Sequence, residues 1–78
     1  VNPLAQLLQF LKQLNASGVG YLLASDDETI MVLIRTDSGM REIAFYGDGA
    51  IEAQNLEAGE EPERMTLEAL MADEAFKG

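Results

Sequence analysis

Glu57, Glu60, Glu61 and Glu63 place four carboxylates within the seven residues Glu57-Ala58-Gly59-Glu60-Glu61-Pro62-Glu63. Charges this dense repel one another and keep a segment extended and hydrated. The chemistry open to them is electrostatic attraction of a basic partner. Asp26, Asp27 and Glu28 form a second acidic group, and Asp37 a further site. Over the whole chain 14 Asp and Glu oppose 5 Lys and Arg, a formal net charge of −9. Nucleic acid and anionic membranes are polyanions, so this balance argues against both as direct partners and fits a basic protein. Duplex DNA carries one charge per about 1.7 Å, so the net charge matches about 15 Å of duplex, within reach of a DNA-mimicking inhibitor. The plain alternative is that the acids keep a small domain soluble and that Glu57–Glu63 is a solvated loop.

Catalysis has little to draw on. The chain holds no Cys and no His, which excludes disulfides and thiolate metal sites and removes the commonest general base. Ser17, Ser25 and Ser38 have no His to activate them. Lys12 and Lys77 are expected at exposed positions, where desolvation would not lower their pKa. Asp26 to Asp37 has the length of a calcium loop, but its interior, Ile30–Ile34, reads as strand. Gly18-Val19-Gly20 and Gly47-Asp48-Gly49 lack the third glycine of a nucleotide loop and read as a helix cap and a turn. The expectation is a protein without enzymatic activity, cofactor or metal.

The second candidate surface is apolar. Ile30, Val32 and Ile34 share one face of a strand while Met31 and Leu33 share the other. A strand apolar on both faces is central in its sheet or meets a partner. Met31, Met40, Met65 and Met71 each sit among apolar residues and read as core filling. Tyr21 and Tyr46 would serve as anchors if exposed.

The elements that position these groups follow from pattern. Asn2-Pro3 is a helix start, with Asn as cap and Pro at the first helical position. Leu4, Leu7, Leu8, Leu11 and Leu14 form one stripe with Phe10 at its edge, and Gly18 supplies a left-handed stop. Strands are expected over Val19–Ser25, Thr29–Thr36, Met40–Tyr46 and Ala50–Leu56. Ser25-Asp26-Asp27-Glu28, Asp37-Ser38-Gly39 and Gly47-Asp48-Gly49 supply the turns. A mobile acidic loop is expected over 55–64. Thr66 then caps a short helix with a Met65–Leu70 staple, carrying Leu67, Leu70, Met71 and Ala75 up to about Phe76. Asp73 and Glu74 lie at the end of that helix its dipole disfavours, a placement that costs little on a surface and can also reflect a use.

The fold expected is α+β in one domain, residues 1–78: an N-terminal amphipathic helix, an antiparallel three- to four-stranded meander and a short C-terminal helix. Leu7, Leu11, Val32, Ile34 and Phe45 should form the core. The longest apolar run, Ile30–Ile34, is too short to cross a bilayer, so a soluble, cytoplasmic protein is expected. The function expected is that of a small acidic protein-binding module, an inhibitor or adaptor acting on a basic, nucleic-acid-binding target. Its binding residues would be Glu57, Glu60, Glu61, Glu63, Asp26, Asp27, Glu28, Met31 and Leu33. The alternative is a dimeric structural or chaperone-like domain using an apolar sheet surface. A homodimer at micromolar concentration is expected, because one helix and a short second helix do not easily cover both faces of a four-stranded sheet.

Overall fold

Asn2 and Pro3 begin α1, Pro3–Ser17, as their chemistry dictates: the Asn2 side chain accepts from the backbone N–H groups of Leu4 and Ala5. Gly18, at φ 72°, ends the helix in the left-handed region, and the Val19 N–H returns to the Leu14 carbonyl at 2.9 Å. The computed structural model describes every residue except Val1, Ser38, Ala58, Lys77 and Gly78, and the side chain of Ala75. The readings of Ser38, Lys77 and Ala75 therefore lie outside the described residues. After α1 come β1 (Leu22–Ser25), β2 (Thr29–Thr36), β3 (Gly39–Tyr46), β4 (Ile51–Asn55), β5 (Glu63–Met65), α2 (Leu67–Ala72) and a 3₁₀ turn, Glu74–Phe76.

The strands form one antiparallel meander in the order β1-β2-β3-β4-β5. Thr36 pairs with Gly39 across a two-residue connection, as the Asp37-Ser38-Gly39 signal requires. The sheet has five strands rather than three to four. β5 is charged, follows Pro62 and spans three residues, so it carries no strand pattern of its own. Pairing with β4 makes it a strand, with Ile51 opposite Met65 and Ala53 opposite Glu63. The connection expected over 55–64 accordingly narrows to 56–62, and Glu63 belongs to the sheet. β1 is also shorter than the expected Val19–Ser25.

Directly opposed residues share a face. Val32, Ile34, Ile43, Phe45, Ile51 and Ala53 therefore point to one side, where Leu7, Phe10 and Leu14 of α1, Leu70 of α2 and Phe76 bury against them. Phe10 lies between Phe45 and Phe76, its ring centroid 5.7 Å from one and 5.4 Å, edge-on, from the other. The helix is thus rotated relative to the leucine stripe. Phe10 is fully buried, Leu11 is only partly buried against the core, and Leu4 and Leu8 are more than half exposed. The reason is α2. Gln6 and Gln13 donate to the carbonyls of Gly49 and Met71, which draws their side of α1 toward β4 and α2. Leu4 and Leu8 are left on the flank toward β1 and β2.

Candidate functional site

The acidic residues separate into two groups at opposite ends of the sheet. The β1–β2 and β3–β4 turns meet at one end, where the Gly47 N–H donates to the Glu28 carbonyl at 3.2 Å. This end carries Asp26, Asp27, Glu28 and Asp48. Two of these carboxylates also shape their turns: Asp26 accepts from the N–H groups of Glu28 and Thr29, and Asp48 from that of Ala50. Asp37, Glu57, Glu60 and Glu61 lie at the other end, where the Leu56 N–H donates to the Met40 carbonyl. Glu57 also approaches Gly39 closely, and Gln54 donates to the Glu60 carbonyl. β2 has eight residues, so at about 3.3 Å per residue the two acidic ends stand about 25 Å apart. The residues Glu57, Glu60, Glu61 and Asp26, Asp27, Glu28 are not brought together.

Asp73 lies just beyond the last turn of α2. It caps α2, and its carboxylate lies 3.8 Å from the Arg41 guanidinium on the covered face. Arg41 also stacks over the Phe76 ring at 5.4 Å. Together these contacts dock the 3₁₀ turn onto the sheet.

Met31 and Leu33 do lie together, on the face of the sheet that carries no helix among the described residues. Met31 is opposite Ala24 on one side and Ala44 on the other; Leu33 is opposite Leu22 and Glu42. Met40 is on the same face, opposite Arg35. Met65 and Met71 pack against the core, but Met31 and Met40 do not, so the core-filling reading holds for half of the methionines. The polar part of this face lies toward β4 and β5. There Tyr46 donates to Glu52 at 3.0 Å, and Arg64 reaches Glu52 at 3.4 Å. The bond to Glu52, then burial and the Glu52 and Asp26 charges, raises the Tyr46 phenol above its ordinary 10.0.

Leu22 was not singled out by sequence reasoning, yet it and Leu23 are 68% and 53% exposed on the edge strand β1. The strand expected over Val19–Ser25 puts Leu23 on one face with Val19 and Tyr21. In the structure that face is the helix side, with Leu23 opposite Val32 and still more than half exposed. The available signal was a strand, Leu22-Leu23-Ala24-Ser25, without a charge. Among the described residues no three acidic side chains converge to hold a metal ion. No helix is long and apolar enough to cross a membrane among those residues. No protein-family model matches the chain, and no curated protein or solved structure matches it.

Proposed function

We propose that this domain is a non-catalytic protein-binding module that engages its partner through the uncovered face of its sheet. One observation carries the reading. Leu22, Ala24, Met31, Leu33, Met40 and Ala44 lie together on the face that carries no helix among the described residues, bordered by Arg35 and Glu42. An antiparallel sheet with one solvated face ordinarily alternates apolar-in and polar-out. β1 to β3 break that rule at these six positions, with Arg35 and Glu42 among them on the same face, while β4 keeps it with Glu52 and Gln54. A contiguous apolar surface ringed by polar groups is the usual form of a protein contact. The acidic groups at the two ends of the sheet flank this surface and favour a partner with basic margins.

A second reading, an inhibitor or adaptor led by charge on a basic target, draws on the same acidic ends. Their separation suits two basic contacts better than imitation of a continuous phosphate backbone. The two readings diverge under mutation. With a partner retained from an extract of the source cells and then purified, Met31→Gln with Leu33→Gln should weaken affinity about tenfold or more, equivalent to about 1.4 kcal/mol. Replacing Glu57, Glu60, Glu61 and Glu63 by Gln moves the net charge from −9 to −5, since each change removes one of four negative charges. That variant should slow association and flatten its salt dependence while leaving most of the affinity. The reverse pattern, loss with the four Gln and indifference to the apolar pair, would establish the charge-led reading.

A further inference from the structure

The two edges of the sheet are built differently. β5 is protected against pairing: Pro62 precedes it, and exposed Glu63 and Arg64 occupy it. Charge, proline and brevity are the means by which edge strands avoid joining other chains. β1 has only its brevity. It carries no charge and no proline, and Leu22 and Leu23 expose apolar surface on both of its sides.

The hydrogen-bond parity of β1 is fixed by its turn. The Asp26 N–H donates to the Thr29 carbonyl, so the backbone of Asp26 points inward, toward β2. Alternation along an antiparallel strand then points Ala24 and Leu22 inward, and Ser25 and Leu23 outward. We propose that β1 pairs antiparallel with β1 of a second copy about a two-fold axis at Leu23, joining two sheets into one of ten strands. This pairing is independent of the binding face proposed above, because it joins the two uncovered faces edge to edge and leaves both open.

A two-fold axis can pass through either kind of opposed pair, and the axis at Leu23 is the one that puts a hydrogen-bonded pair at the centre of the overlap. The two Leu23 residues exchange both backbone hydrogen bonds, and Ser25 pairs with Tyr21 of the second copy. Parity also places Leu22 opposite the other copy's Ala24 on the uncovered face, large against small. The Leu23 side chains meet on the helix side and extend the row from Val32. The net charge opposes association, but the geometry keeps the nearest acids apart. Asp26 lies three residues from the axis, in opposite directions in the two copies. At about 3.4 Å per residue the two carboxylates are about 20 Å apart, beyond the ~8 Å screening length at physiological salt. The opposite edge remains protected, so pairing closes at two copies. A strand this short buries an area at the low end for protein interfaces, so the pairing is expected to be reversible and concentration-dependent.

The test is the mass of the intact chain by sedimentation over a wide concentration range. The expected result is a concentration-dependent rise from 8.5 kDa to twice that value. Leu23→Lys should hold the mass at the protomer value without lowering the melting temperature measured at low concentration. The chain has no cysteine, so Leu23→Cys provides a single thiol. Its Cα would lie about 5.5 Å from its counterpart, inside the disulfide range. Mild oxidation should cross-link Leu23→Cys and not Glu63→Cys on the protected edge. A protomer mass at every concentration, with no cross-link through position 23, would overturn the proposal. So would a dimer that survives Leu23→Lys.

Discussion

Replacing Phe10 by Ala probes how α1 is seated on the sheet. The side chain is fully buried and its ring touches those of Phe45 and Phe76. Truncating a buried Phe to Ala costs about 3–5 kcal/mol, by lost transfer energy and the cavity left behind. Within that cost each aromatic pair accounts for about 0.5–1.5 kcal/mol. At about 0.05–0.15 kcal/mol per residue, a chain of 78 residues has about 4–12 kcal/mol in all. The variant therefore loses about a quarter of its stability or more, and at the weaker end does not fold. In a domain of this size 1 kcal/mol moves the melting temperature by about 4–8 °C, so a drop of at least about 12 °C is expected. Far-UV circular dichroism during heating and in urea measures it. Leu8→Ala is the control: Leu8 is 55% exposed, and its truncation should stay within about 0.5 kcal/mol. Equal losses in the two variants would refute the seating and return α1 to the face marked by its leucines.

Three further outcomes follow from local chemistry. Asn2→Ala removes the acceptor for the Leu4 and Ala5 N–H groups and should cost about 0.5–2 kcal/mol in urea denaturation; an unchanged midpoint would mean that water replaces the cap without loss. Gly39 is buried at φ 120°, and an added Cβ would collide with the Glu57 side chain. Gly39→Ala should thus destabilise by more than the ~0.4–1 kcal/mol that such a change gains at compatible sites, and a more stable variant would contradict that backbone geometry. Glu52→Gln should lower the Tyr46 phenol midpoint in an ultraviolet titration, because the Glu52 bond is the main cause of its elevation. The folded state holds the Tyr46 proton more tightly than the unfolded one. The associated stability is full below the unfolded value and is lost as pH rises through the folded value. The variant should show less of that alkaline loss, and an unmoved midpoint would remove Glu52 as the cause.

The residue types made the order of elements legible, because caps and turns act locally. Asn2-Pro3, Gly18, Asp37-Ser38-Gly39 and Thr66 each set a boundary without help from distant residues. β5 was not legible: nothing in Glu63-Arg64-Met65 favours a strand until Ala53, Glu52 and Ile51 lie alongside. The rotation of α1 was hidden for a similar reason. Leucine spacing gives a helix an apolar side, but the bonds from Gln6 and Gln13 to Gly49 and Met71 select which edge of it faces the sheet. At the candidate surface, strand alternation placed Met31 and Leu33 together. The carboxylates could be counted but not located, since their grouping depends on which turns share an end of the sheet.

The Phe10–Phe76 contact also has a consequence in time. Each strand pairs with the one before it, so the sheet can zip up hairpin by hairpin, closing only short loops as it goes. Phe10 precedes every strand and Phe76 follows every strand. During synthesis, which presents the N-terminal part first, α1 and a growing sheet must wait with an unfilled site beside Phe10 until Phe76, beyond the last strand and α2, has been made. A nascent chain stopped after β5 would hold most of its backbone pairing and still lack its closing side chain. Its apolar interior would be open on the side toward α2, at the stage when other nascent chains are nearest.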